Sequence, residues 1–254
     1  MSASAVYRWQ NSQLREVSAE VLDATPIAVA DSWLVDAGNV LALNLHRQRF
    51  VDAVPSDLHE TANEFFTAAI AQLPRAGAWF PRVELRGGEF FLQLRPAPEL
   101  HRSATVMSHA GDDPRTVPTV KGPDLDALGA LVAAARLQGA DDTVLLTTEG
   151  YVIEGAYSAV LWWRGDILCG PPAEFDRVDS VTARSVLTLA RALGIDTHTE
   201  AVTPAELDGT EVWVVNSLHG IRIVSGWVDG PALAEKPKRL EQWRTRLSAL
   251  AHPI

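Results

Sequence analysis

Apolar and polar positions recur along the chain with two different periods, and together they predict strands mixed with helices. Ile27–Val35 is largely apolar and carries several β-branched residues. Gly38-Asn39 supplies a turn before a second short strand, Val40–Leu45. Over Asp57–Leu73 the apolar residues Leu58, Ala62, Phe65, Phe66, Ala69 and Ile70 fall at helical spacing, and Pro74 ends the run. Arg82–Leu85 and Phe90–Leu94, joined by Gly87-Gly88, predict a hairpin.

The stretch 96–123 has neither period. Pro96, Pro98, Gly111, Pro114, Pro118 and Pro123 break any regular element there, and Asp112-Asp113 adds turn chemistry. It predicts a connection between two domains: a small first domain over residues 1–105, a linker over 106–122 and a larger second domain over 123–254. Pro123 can open a helix whose face is Leu125, Leu128, Leu131, Val132 and Ala135, closed by Gly139. Val144–Thr147 and Tyr151–Glu154 predict one strand pair, and Ala159–Trp163 and Asp166–Cys169 another. A helix is expected over Thr182–Leu193, a capping box at Thr203–Glu206, strands at Glu211–Asn216 and Ile221–Val228, and a closing helix at Lys238–Leu250.

Composition narrows the class. The 254 residues are 47% hydrophobic and 21% charged, the balance of a soluble globular protein with room for a sizeable core. A net charge of −10, with no run of four basic residues, opposes nucleic-acid or anionic-membrane binding. The single cysteine, Cys169, excludes an intrachain disulfide and a cysteine-based zinc cluster, and reads as a small buried strand residue. No H-E-x-x-H pair stands among the histidines, so no metal is expected. No signal-like start and no apolar run of spanning length is seen, which makes the cytoplasm the default compartment. Phosphate loops of the Walker or G-x-G-x-x-G type and a G-x-S-x-G elbow are missing too.

What remains is an ordered set of short segments. Lys121 stands in Val120-Lys121-Gly122-Pro123, at a helix start after the proline-rich stretch. Glu154 stands in Tyr151-Val152-Ile153-Glu154-Gly155, at the end of a hairpin. Ser180-Val181-Thr182-Ala183-Arg184 opens a helix, Asn216-Ser217-Leu218-His219-Gly220 follows a strand, and His46-Arg47-Gln48-Arg49 lies upstream. In this order the segments resemble the class-IV aminotransferases, the fold-type-IV family of pyridoxal phosphate enzymes. That family includes branched-chain and D-amino-acid aminotransferases and aminodeoxychorismate lyase.

The resemblance implies an α/β (α+β) fold: a small N-terminal α/β domain and a larger C-terminal domain with a β-barrel-like core, with the cofactor between them. Lys121 becomes the lysine that forms the Schiff base with pyridoxal 5'-phosphate and then shuttles the proton, chemistry that suits an ε-amine. Glu154 becomes the carboxylate partner of the pyridine nitrogen, favouring its protonated state. Arg49 matches the phosphate-binding arginine, whose fork of N–H donors suits that task. Val181 and Thr182 match the helix start that cups the phosphate, and Ser217 the hydroxyl that completes the cup. Ser32, Arg86, Arg95 and His219 are candidates for the substrate side, with Arg222 as a further arginine. A homodimer and an amino acid/keto acid substrate pair are implied as well.

The chain departs from the family in places. Val29-Ala30-Asp31-Ser32-Trp33 stands where a Gly-Asp-Gly-x-Phe-Glu-Thr-like segment is common, with Ser32 near the threonine position. Ser158-Ala159-Val160 lacks the usual asparagine, and no tyrosine that touches the cofactor follows Lys121, where Asp126 stands. Transamination leads, with release of pyruvate from aminodeoxychorismate as the alternative and a non-catalytic binding protein as a second.

Overall fold

The computed structural model describes residues 4–23 and 25–254. They form two compact units, one of the described residues up to 99 with 120–125 and 250–254, the other of residues 100–119 and 126–249. These divisions differ from the boundaries expected at residues 105 and 123. The chain leaves the first unit, returns for Val120–Leu125, and returns again at its C-terminal end.

The first unit opens with a hairpin, β1 (Ala5–Gln10) and β2 (Gln13–Val17). Its turn holds Asn11 and Ser12 at φ 50° and 57°, the left-handed pair that matches strand twist in a two-residue connection. β3 (Ile27–Ser32), β4 (Val35–Asp36) and β5 (Asn39–Leu41) follow. α1 (Leu43–Ala53) comes next, where a strand through Leu45 was expected. Ala42 turns the chain at φ 49°, and His46 and Phe50, one helical turn apart, bury the inner face. α2 (His59–Gln72), β6 (Ala78–Trp79), β7 (Arg82–Arg86) and β8 (Glu89–Leu94) complete the run.

An antiparallel sheet ordered β2-β1-β8-β7-β3 forms one layer. Its core holds Trp33, Phe50, Phe65, Phe66 and Phe90, with Phe65 stacked on Phe90 at 5.1 Å. The C-terminal residues Ala251–Pro253 add a strand to β5 in a second, smaller sheet.

The second unit is built on an eight-stranded curled sheet. Its first strand, β9 (Ser103–Ser108), lies in the stretch that shows no period, yet it is central. α3 (Leu125–Leu137), β10 (Asp142–Leu146), β11 (Val152–Gly155), β12 (Ala159–Arg164) and β13 (Ile167–Gly170) follow. Then come α4 (Val181–Ala192), β14 (Thr197–Thr199), β15 (Glu211–Asn216), β16 (Gly220–Val228) and α5 (Arg239–Ser248). The strand order is β11-β10-β9-β16-β15-β12-β13-β14.

One face of this sheet encloses Val106, Val144, Val160, Trp162, Val212, Val214 and Val224. On the other, Trp163 and Trp213 meet Trp243 of α5 edge to face, at 5.5 Å each. Alternating residues of β12 and β15 thus serve two cores, which is why both strands are almost continuously apolar. Cys169 is buried in β13. Among the described residues no helix is long and apolar enough to cross a membrane.

Candidate active site

In the first unit the site is organised by a crossing of two backbones. The Ala30 N–H of β3 donates to the Lys121 carbonyl at 2.6 Å. The next residue, Gly122, has φ +146°, and a Cβ there would lie 2.8 Å from Val29 Cα and 2.9 Å from Ala30 N. Those neighbours are backbone and cannot rotate away, so glycine is what lets Lys121 come this close to β3. Gly122→Ala is expected to cost about 1–3 kcal/mol, the range for overpacking in a packed interior. Urea unfolding reads the cost, and a loss under 0.5 kcal/mol would show that the crossing relaxes freely.

Asp31 follows directly on β3 and is fully buried. Arg49 of α1 donates to it twice, Nε to Oδ2 and Nη2 to Oδ1, both at 2.8 Å. His46 Nδ1 lies 2.8 Å from Oδ1, which also accepts the Ser32 N–H at 2.7 Å. Burial works to raise the Asp31 pKa, but the charges and hydrogen bonds of Arg49 and His46 outweigh it and hold the carboxyl well below the usual range. His46 is shifted below 6.5 by burial, opposed by Asp31 and reinforced by the charges of Arg49 and Lys121. A neutral ring beside an ionised Asp31 carries its proton on Nδ1 and donates it.

Lys121, Asp31, His46 and Arg49 therefore form one electrostatic group. Asp31 fixes the plane of the Arg49 fork. The other arginines of this unit stand apart from that group in their bonding. Arg86 gives Nε to Glu84 at 2.8 Å and Nη1 to the carbonyls of Leu22 and Thr25 at 2.7 and 2.6 Å. Arg95 gives Nε to the Phe80 carbonyl at 3.2 Å and lies over the Phe80 ring. Its pKa is lowered to about 10 by burial and by the charge of Arg82.

In the second unit Glu154 ends β11, almost wholly buried, opposite Leu145 of β10. Its Oε1 accepts from Arg115 Nη1 at 2.5 Å. Arg177 lies near enough for its charge to feel Glu154. Behind the same hairpin, Ser158 Oγ donates to the buried Asp142 at 2.7 Å. Burial pushes the Asp142 carboxyl up. A Cβ on Gly155 would run into Ser158 Oγ and come within 2.9 Å of Asp142 Oδ2, so this brace also demands a glycine after Glu154.

Val181 and Thr182 form the first turn of α4, both buried, with Ser180 Oγ accepting from the Ala183 N–H at 3.2 Å. Among the described residues no group is hydrogen-bonded to the N–H of Val181 or Thr182. Ser217 and His219 lie in the turn between β15 and β16. There Asn216 Oδ1 accepts from the N–H groups of Leu218 and His219, at 3.1 and 2.9 Å. His219 Nδ1 accepts from the His101 N–H at 3.2 Å, and burial with nearby Arg222 lowers its pKa to about 4. Arg222 is 6% exposed, and its Nε has no hydrogen-bond partner among the described residues.

Three participants escaped sequence reading. Asp31 carried a signal, a lone carboxylate inside an apolar strand, which must find cationic partners when buried. His46 carried only its helical spacing to Arg49. Arg115 carried none, lying in a stretch without periodicity. Among the described residues no group of three or more His, Cys, Asp or Glu is placed to hold a metal ion.

Comparison with known proteins identifies the family. Residues 28–227 match the amino-transferase class IV family, and the chain belongs to it. A bifunctional aminodeoxychorismate lyase / D-amino acid transaminase of Mycobacterium tuberculosis is 33% identical over 97 residues, 35% of this chain and 34% of that protein. The branched-chain-amino-acid aminotransferase of Escherichia coli K12 is 27% identical over 135 residues, 48% of this chain and 44% of the enzyme. The matched stretches thus span between a third and a half of these relatives. A hypothetical aminotransferase from Mycobacterium tuberculosis in its PLP-bound form shares the fold, with a TM-score of 0.76 and 20% identity over 98% of both chains.

Proposed function

We propose that the protein is a pyridoxal phosphate-dependent aminotransferase that moves an amino group from an amino acid to a keto acid. The observation that carries this reading is Glu154. It is a buried carboxylate beside a guanidinium, which favours its ionised form, and such a group can keep a pyridine nitrogen protonated. The anion-binding parts fit as well. The first turn of α4 offers buried N–H groups at the positive end of a helix dipole. Ser217 adds a hydroxyl, and Arg49 a guanidinium whose orientation Asp31 fixes.

When bound, pyridoxal phosphate supplies an aldehyde that captures amines and a ring that accepts the electron pair released at the substrate Cα. The chain's own residues do the rest. Lys121 Nζ would hold the group covalently and, once displaced by the substrate amine, would carry the proton from the substrate Cα to the cofactor carbon. Burial of His46 keeps that ring neutral beside Lys121, so the lysine meets one cation fewer there. Arg86 is engaged with Glu84 and backbone carbonyls, so Arg222 and His219 are the better partners for a substrate carboxylate. A cytoplasmic homodimer completes the reading, since symmetric dimers are the commonest assembly.

The Mycobacterium tuberculosis relative, named for both activities, favours keeping pyruvate release as a second reading. One experiment separates the outcomes. Purified protein is incubated with pyridoxal phosphate, its spectrum recorded, and the linkage fixed with borohydride and mapped. It is then assayed with paired amino donors and keto acceptors, and with aminodeoxychorismate alone. Label on Lys121 and acceptor-dependent turnover are expected. Pyruvate formed without an acceptor would replace transfer by elimination, and label on another lysine would overturn the site.

A further inference from the structure

We infer that Arg115 is a positioning residue for Glu154: clamped by Asp113, it takes one carboxylate oxygen and limits how firmly the carboxylate holds a proton on the cofactor's ring nitrogen. The inference rests on the reading of Glu154 as the partner of that nitrogen.

The geometry is a relay of three charged groups. Asp113 accepts from Arg115 Nε at 2.9 and 3.0 Å and from Nη2 at 2.6 Å, and it also accepts the Arg115 backbone N–H at 3.0 Å. The remaining arm, Nη1, reaches Glu154 Oε1 at 2.5 Å. The Arg115 side chain is 3% exposed, so solvent screens the pair weakly. The loop that carries both residues is tied down by the His109 N–H, which donates to the Val144 carbonyl at 2.8 Å. Val144 is the cross-strand partner of Gly155, so this anchor lies next to Glu154 itself.

Two carboxylates share one guanidinium. Burial would lower the Arg115 pKa, yet Asp113 and Glu154 together raise it, so the cation is permanent. Arg177 adds a second positive charge near Glu154, itself offset by Asp179 and Glu174. The α3 residues of the adjoining cluster, Leu128 and Val132, are apolar. An unpaired buried glutamate would be a strong base toward the ring nitrogen. A glutamate with Oε1 committed to a guanidinium is a weaker one, and the clamped arginine restrains that oxygen's position.

The relay makes opposite predictions for its two ends, which separates charge from mere support. In protein without cofactor, the Glu154 carboxyl is titrated by carbon-13 NMR and assigned by its loss in Glu154→Gln. Arg115→Met is expected to raise the Glu154 pKa by about one unit or more, the usual effect of an opposite charge at contact. Asp113→Asn should lower it, because Arg115 then serves Glu154 alone. Arg115→Lys should restore most of the change, since it keeps the charge. With nitrogen-15-labelled pyridoxal phosphate bound, Arg115→Met should move the ring nitrogen toward its protonated shift.

An unchanged Glu154 titration in Arg115→Met would overturn the inference, as would both variants moving it the same way, the mark of a displaced loop. If the NMR titrations behave as expected while the wild-type chain never links to the cofactor, the relay stands and the functional reading falls.

Discussion

Lys121→Ala is expected to abolish covalent capture of pyridoxal phosphate and to lower turnover by about a thousand-fold or more, the effect of losing a positioned acid–base group. The backbone should tolerate the change. Lys121 is tied into β3 through its carbonyl, and the crossing is secured by Gly122, so removing the side chain leaves both features in place. A second readout needs no cofactor. The charge of Lys121 is one of the influences that lower the pKa of His46, so the His46 imidazole should titrate at higher pH in the variant. Proton NMR of the His46 ring follows this, with His46→Gln for assignment. Small primary amines added to the assay should return part of the activity, because they replace the missing base but not the linkage. Unimpaired turnover, or a borohydride label that persists in the variant, would remove Lys121 from the chemistry.

The order of segments was legible because each has a local physical signature. The hairpin β7–β8 is announced by Gly87-Gly88 between alternating runs, and α4 by Ser180 ahead of an amphipathic face. β15, from Glu211 to Asn216, matches its expected bounds. The failures have reasons too. β9 is a strand of small and polar residues, Ser103, Ala104 and Thr105 among them, flanked by prolines. Only its parallel neighbours β10 and β16 make it a strand. α1 was hidden because Leu43, Leu45 and Phe50 do not by themselves distinguish strand from helix, whereas the left-handed turn at Ala42 does. Arg115 was hidden for the same reason as β9: its importance comes from Asp113 and Glu154, a pairing that only the folded chain makes visible.

Asp31→Ala is expected to destabilise the protein by about 3–5 kcal/mol, the cost of removing one partner from a buried ionic network. Arg49 and His46 would both lose the carboxylate they share. Asp31→Asn should cost less, since its amide oxygen still accepts from Arg49. The pH dependence follows from the two shifted groups. Asp31 has a folded pKa below its unfolded value of about 3.9, so its contribution is complete above that pH and is lost as pH falls through the folded pKa. His46 is also depressed. The unfolded chain therefore binds its proton first, and stability declines as pH drops below about 6.5. His219, lowered to about 4, adds to the same decline from the second unit. Acid thus weakens the wild-type protein in two stages. Asp31→Ala should lack the second stage, because its carboxylate is gone, and should deepen the first, because His46 loses the charge that holds its pKa up. Urea midpoints at pH 7.5, 5.5 and 3.5 measure all three effects. A variant within 1 kcal/mol of wild type at pH 7.5 would mean that Arg49 and His46 find other partners, and that Asp31 does not set the direction of the arginine.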